Sequence, residues 1–154
     1  MHTLEASCMP TRCIAFMNCC SVCSAFVLML GSCRYRAING RLVVTMPPEG
    51  RRIQQLWTTR EFPKNFILKI QFRATPNADS GVFIRRPQLQ CRDYTLAGPW
   101  KELKKYKPQE WNEIVAVVKD GVAHCTCNGE VLNANFKVPP TGPIGLEGDR
   151  VQME

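Results

Sequence analysis

Residues 112–136 read Asn112-Glu113-Ile114-Val115-Ala116-Val117-Val118-Lys119-Asp120-Gly121-Val122-Ala123-His124-Cys125-Thr126-Cys127-Asn128-Gly129-Glu130-Val131-Leu132-Asn133-Ala134-Asn135-Phe136. Asp120-Gly121 and Asn128-Gly129 are dipeptides that accept the left-handed backbone of a two-residue hairpin loop. They cut the stretch into three runs, and the first is apolar on both faces in its middle. This predicts a three-stranded antiparallel meander with strands at 112–119, 122–127 and 130–136.

The same grammar extends outward. Asn39-Gly40 predicts a hairpin between residues 35–38 and 41–45. Residues 66–73 alternate with Phe66, Leu68, Ile70 and Phe72 on one face, the mark of a half-buried strand. Residues 53–58 predict a strand anchored by Trp57, and Ile144-Gly145-Leu146-Glu147 opens a final strand after the break at residues 139–143. Residues 100–108 read as a basic loop or a single irregular turn. Nothing after Cys33 sustains helical periodicity, so the fold class is all-β, an antiparallel sandwich.

The chain has 154 residues, enough for one core, and a net charge of +7. The basic residues are scattered, apart from Lys101, Lys104, Lys105 and Lys107. No recognition-helix, zinc-finger or RNP-like pattern accompanies them, so no nucleic-acid partner is expected. Six of the nine cysteines lie within residues 1–33, which argues against a disulfide scaffold spread through the body. Cys125 and Cys127 share a strand face as small buried side chains.

Residues 1–33 are expected to form an atypical hydrophobic, Cys-rich segment, signal-like or else disordered or helical, and residues 34–154 the β-sandwich domain. The apolar run before Leu30-Gly31-Ser32-Cys33 resembles a secretory signal ending in a lipobox, with Cys33 as the lipidated residue. The expected location is secreted, periplasmic or cell-envelope, with membrane contact only through that anchor. A cytoplasmic location is the alternative if the segment is not a signal.

Chemistry concentrates between Asp79 and Pro99. Val82 and Ile84 alternate with Phe83 and Arg85, and Gln88, Gln90 and Arg92 alternate with Leu89, Cys91 and Asp93. So many polar groups on two short strands imply a wet face or the floor of a sugar-sized cleft. A Ser-His-Asp or Cys-His centre is not expected, because the chain has two histidines and His124 sits mid-strand. Carboxylates remain, and Asp93 and Glu147 each end a strand beside a glycine-bearing loop.

Several segments occur in an order that resembles a known family. They are Leu56-Trp57-Thr58, Glu61-Phe62, Asp79-Ser80-Gly81-Val82-Phe83-Ile84-Arg85, Gln90 with Asp93-Tyr94, Ala97-Gly98-Pro99, Trp111-Asn112, Asn128-Gly129 and Gly142-Pro143-Ile144-Gly145-Leu146. Over residues 35–154 the chain resembles the 3-keto-disaccharide hydrolase domain family, with a concanavalin-like jelly-roll sandwich. The resemblance implies a carbohydrate partner and a hydrolase cleaving 3-keto-glycosides or related glycosidic bonds. A ketone at C3 acidifies the C2 hydrogen, so such a site needs a base, a cation over the enolate oxygen and groups that orient the ring.

On that basis Asp93 or Glu147 is the expected base and Arg85 the oxyanion clamp. Gln90, Tyr94, Trp100 and Asp79 are the expected substrate-binding residues. A cross-strand Arg85–Asp93 ion pair is the structural alternative. No cofactor is expected; a divalent metal is compatible with the chemistry, but the sequence offers no ligand cluster for it. The alternative functions are a non-catalytic carbohydrate-binding module and an inactive truncated paralogue. Family members normally carry a further β segment before the equivalent of Tyr35 and a further strand at the end. The expectation is therefore a domain truncated at both ends, with open edges at residues 35–45 and 144–154 and no packed position for residues 1–33.

Overall fold

The computed structural model describes residues 2–4, 26–27, 35–38, 41–44, 54–76 and 78–149. The strands are β1 (His2–Leu4), β2 (Phe26–Val27), β3 (Tyr35–Ile38), β4 (Arg41–Val44), β5 (Gln54–Thr58) and β6 (Phe66–Phe72), followed by β7 (Asp79–Ile84), β8 (Gln88–Arg92), β9 (Asn112–Lys119), β10 (Val122–Cys127), β11 (Glu130–Lys137) and β12 (Ile144–Asp149). There is no helix among the described residues.

Sheet I has the order β1-β6-β9-β10-β11 and sheet II the order β2-β5-β12-β7-β8; β3 and β4 form a separate hairpin. All pairings are antiparallel except β1 with β6. The meander forms as its turns predict. Asp120 and Gly121 take φ of 49° and 79°, Asn128 and Gly129 take 48° and 82°, and both loops thus use the left-handed region twice. Asn128 adds a clamp, since its side-chain oxygen accepts from the Glu113 N–H at 2.8 Å.

Alternation decides which face is dry. In sheet I, Phe66, Leu68, Ile70 and Phe72 turn inward with Ile114, Ala116 and Val118. Cys125 and Cys127, as expected, are fully buried beside Ala123. In sheet II one register row runs Leu56, Leu146, Val82 and Leu89 across four strands, and all four are buried. Burying each large aliphatic side chain contributes about 1.5–3 kcal/mol, so the two inner faces hold the sandwich together. The neighbouring rows of sheet II therefore point away from the core.

Two expectations about the chain's ends are corrected. β12 is not an open edge: it pairs with β5 on one side and β7 on the other, in the middle of sheet II. Nor do residues 1–33 lack any packed position, since His2–Leu4 adds to β6 and Phe26–Val27 adds to β5. Those two strands would otherwise present unpaired backbone groups along one side. Strand β3 is docked as well, for Tyr35 is buried and its hydroxyl donates to the Leu146 carbonyl at 2.9 Å. The Leu30-Gly31-Ser32-Cys33 stretch and the proposed lipidation at Cys33 lie outside the described residues.

Candidate functional site

Two outward rows of sheet II build the site. In the first, Glu147 stands opposite Gln55 of β5 and Gly81 of β7, and Gly81 stands opposite Gln90 of β8. In the second, Gly145 lies between Trp57 and Phe83, and Phe83 pairs with Gln88. Residues two apart on a strand share a face, so both rows line one surface.

Both glycines give up a side chain so that a neighbour can cross. A Cβ on Gly145 would lie 2.6 Å from the Trp57 ring, so Trp57 lies over that backbone. There it stacks on Phe83, with ring centroids 4.8 Å apart and planes 29° from parallel. A Cβ on Gly81 would collide with Nε2 of Gln88. Gln88 passes over that gap and reaches Glu147 on the strand beyond.

Glu147 is the convergence point. Gln88 Nε2 donates to its Oε1 at 2.6 Å and Gln55 Nε2 donates to its Oε2 at 2.7 Å. Trp57 Nε1 in turn donates to Gln55 Oε1 at 3.1 Å. The carboxylate is half-buried. Among the described residues, two neutral amides hold it and no cation does. At the far end of the same face Arg92 and Asp79 form an ion pair at 2.7 Å. The site is thus a shallow strip: an aromatic platform, a carboxylate between amides, then a charged pair.

Of the residues expected at the site, Glu147 and Gln90 share this strip, and Asp79 lies at its end, committed to Arg92. The others do not reach it. Arg85 is 1% exposed, with Nη1 on the Pro139 carbonyl at 2.9 Å and Nη2 on the Lys64 carbonyl at 2.7 Å. Its guanidinium also lies over the Phe66 ring at 5.2 Å. The oxyanion-clamp role is corrected accordingly: Arg85 pins two loops inside the sandwich. Its φ of 61° breaks the alternation that would have turned it outward with Phe83.

Asp93 follows the parity of Leu89 and Cys91 and is likewise 1% exposed. Its Oδ1 accepts from the Thr95 backbone at 3.2 Å and the Thr95 hydroxyl at 2.6 Å. That is a turn-forming contact at the end of β8, with no ion pair to Arg85. It stands on the opposite side of sheet II from Glu147, which removes it as the base.

Tyr94 and Trp100 are likewise interior. Tyr94 donates to the Gln90 carbonyl at 2.6 Å, and burial pushes its phenol well up. Trp100 Nε1 donates to the Leu132 carbonyl at 2.8 Å, and its ring meets Tyr94 edge-on at 5.1 Å. They close the sandwich between β8 and β11 instead of stacking on a ligand. Sequence reading missed Gln55, Gln88 and Phe83 as site residues and took Trp57 only as an anchor. The available signal was the shared parity of Gln55 with Trp57 and of Gln88 with Gln90. Among the described residues no three His, Cys, Asp or Glu side chains cluster as a metal site would require.

The fold and the strip define an antiparallel β-sandwich that presents a polar and aromatic sheet face to solvent. The chain belongs to the family described as the 3-keto-alpha-glucoside-1,2-lyase-like domain, whose profile matches residues 32–154. Two solved structures share the fold, both proposed glycosyl hydrolases from Parabacteroides distasonis ATCC 8503. One is 16% identical with a TM-score of 0.56, covering 78% of this chain and 82% of its own. The other is 17% identical with a TM-score of 0.54, covering 73% of this chain and 81% of its own. No curated protein matches the chain.

Proposed function

We propose that this protein cleaves 3-keto-glycosides by elimination across C1 and C2, with Glu147 as the base. The observation that carries the reading is the half-buried Glu147 carboxylate held by Gln55 and Gln88 beside the Trp57–Phe83 platform. The family name supplies the substrate class.

The sugar's apolar face stacks on Trp57 and Phe83. That places the C2 hydrogen over the Glu147 row, about 7 Å along the strands from the aromatic row. Glu147 takes the C2 proton, and the C2–H electrons move into an enolate on the C3 oxygen. Gln90 and the second N–H of Gln88 serve as donors to that oxygen, the role Arg85 cannot fill. Collapse of the enolate breaks the C1–O bond and gives a 1,2-ene-3-one. The leaving oxygen recovers the proton from the Glu147 carboxyl, so the elimination is proton-balanced. Addition of water to C1 of the enone completes a net hydrolysis. No step is routed through a metal.

The test is proton exchange at C2. A 3-keto-glucoside incubated in D2O with the protein should lose its C2 proton signal and release its aglycone. Glu147→Gln should stop both. Binding of the glycoside with no exchange in wild type would instead favour a carbohydrate-binding module using the same strip. Export with lipidation of Cys33 is part of the proposal. In a bacterial host the full-length chain should partition with membranes, and Cys33→Ala should release it or leave it unprocessed. Soluble cytoplasmic protein retaining Met1 would reject export.

A further inference from the structure

We propose that Trp57 is a positioning residue for Glu147, acting through the amide of Gln55; the inference rests on Glu147 being the working carboxylate. The argument is one of donors and acceptors. An indole N–H can only donate and a carboxylate can only accept. Gln55 touches both, with its Oε1 3.1 Å from Trp57 Nε1 and its Nε2 2.7 Å from Glu147 Oε2. An amide can face either way unless its neighbours decide. Here the neighbours do decide: the opposite orientation would set N–H against N–H at one end and oxygen against oxygen at the other.

Trp57 itself is held in place. Its ring fills the space over Gly145, where a Cβ would come within 2.6 Å, and stacks on Phe83 at 4.8 Å. Gln55 is exposed, and its side chain is tied down by these two hydrogen bonds. Its orientation is therefore set jointly by the indole donor at one end and the carboxylate acceptor at the other. Gln88 needs no such partner, because its side chain lies in the gap over Gly81. The two amides that grip Glu147 are thus set by different devices, one by a hydrogen bond and one by shape.

Replacing Trp57 by 3-benzothienylalanine keeps the bicyclic ring over Gly145 and on Phe83 and deletes only the N–H donor. It should lower kcat for C2 exchange and aglycone release roughly threefold to tenfold, the size of one net hydrogen bond, with KM changed less than about twofold. In a Gln55→Ala background the same change should have no further effect on kcat. A purely packing role for Trp57 would give independent, additive losses instead.

A second readout does not depend on turnover. Three tryptophans are present, so the Trp57 indole N–H signal is assignable by substitution. Its solvent exchange should accelerate in Gln55→Ala. It should also accelerate in Glu147→Ala, although Glu147 does not touch the indole, because Gln55 is then free to turn. An indole signal unmoved by both changes, or additive kinetic losses, overturns the positioning role. If wild type shows no C2 exchange while the indole responds as described, the catalytic reading fails and the relay through Gln55 stands.

Discussion

Two carboxylates of sheet II, Glu147 within β12 and Asp93 just after β8, meet opposite fates. Glu147 faces outward from sheet II, half-buried, with an amide N–H on each oxygen. Asp93 faces inward and is 1% exposed; one oxygen is taken by Thr95 and the other, Oδ2, has no partner. Near it the Tyr106 phenol is pushed up, by burial first and by the Asp93 charge second. A charge inside the sandwich fixes a turn and disfavours ionisation of its neighbours. A charge on the sheet face can meet a substrate. Residue type is the same in kind, and strand parity makes the difference.

The sharpest way to break the comparison is to neutralise each acid. Glu147→Gln should lower kcat by about 10²–10⁴, the range of a positioned general base, with little change in the unfolding midpoint. Asp93→Ala should leave turnover per folded molecule unchanged and cost about 1–2 kcal/mol of stability through the lost Thr95 contacts. Paired turnover assays and urea titrations measure both. An Asp93 variant that folds but does not turn over would move the chemistry back to the interior.

Arg85 extends the contrast to cations. Arg85→Met keeps a long apolar stem and leaves the Pro139 and Lys64 carbonyls without their donors. Stability should fall by about 2–4 kcal/mol, read as a lower urea midpoint at unchanged slope. KM for the sugar should not move. A raised KM with unchanged stability would place the guanidinium on the strip after all.

How far the sequence could be read follows from the range of the interactions. The meander was legible because Asp120-Gly121 and Asn128-Gly129 state their turn chemistry locally. Asp93 was legible in principle, since it shares the parity of Leu89 and Cys91, but its residue type outweighed its parity. Arg85 was not legible: a single φ of 61° after β7 reverses the face that alternation assigns. The central position of β12 depends on pairing residues 144–149 with residues 54–58 and 79–84. No local pattern encodes that strand order, and without it the meeting of Gln55, Gln88 and Glu147 stays hidden.

The two glycines of the strip sharpen the comparison within the site. Gly145→Ala drives a methyl into the rigid Trp57 ring and should cost about 1–3 kcal/mol as well as activity. Gly81→Ala meets the Gln88 side chain from Cγ to Nε2, an unbranched chain that can swing out of the gap where a ring over the backbone cannot. It should barely change the midpoint of thermal unfolding yet remove the Gln88–Glu147 contact, lowering kcat roughly tenfold. Equal stability losses in the two variants would show that Gln88 is as constrained as the indole.

The smallest effect tests whether the inner face is as dry as the contrast requires. Burial pushes the Cys125 thiol to about 12, and burial followed by the Glu130 charge does the same for Cys127. Burial also raises Cys91 on the facing sheet. In the unfolded chain these thiols ionise near about 8.5. Below that value both states hold the proton, and the thiols add no pH dependence. Above it the unfolded chain binds fewer protons than the folded one, so stability falls as pH rises from about 8.5 towards 12. Between about pH 8 and pH 9 the loss should be on the order of half a kcal/mol per thiol. Urea midpoints at the two pH values measure it, and Cys125→Ala should flatten the slope by one thiol's share. Buried phenols of Tyr94 and Tyr106 add a slope of the same sign only above about pH 10, outside this window. A Cys125→Ala slope equal to that of wild type would mean that Cys125 ionises as readily in the folded chain as in the unfolded one. The inner face would then admit water beside β10, and the separation between a dry interior and a wet strip would be weaker than parity implies.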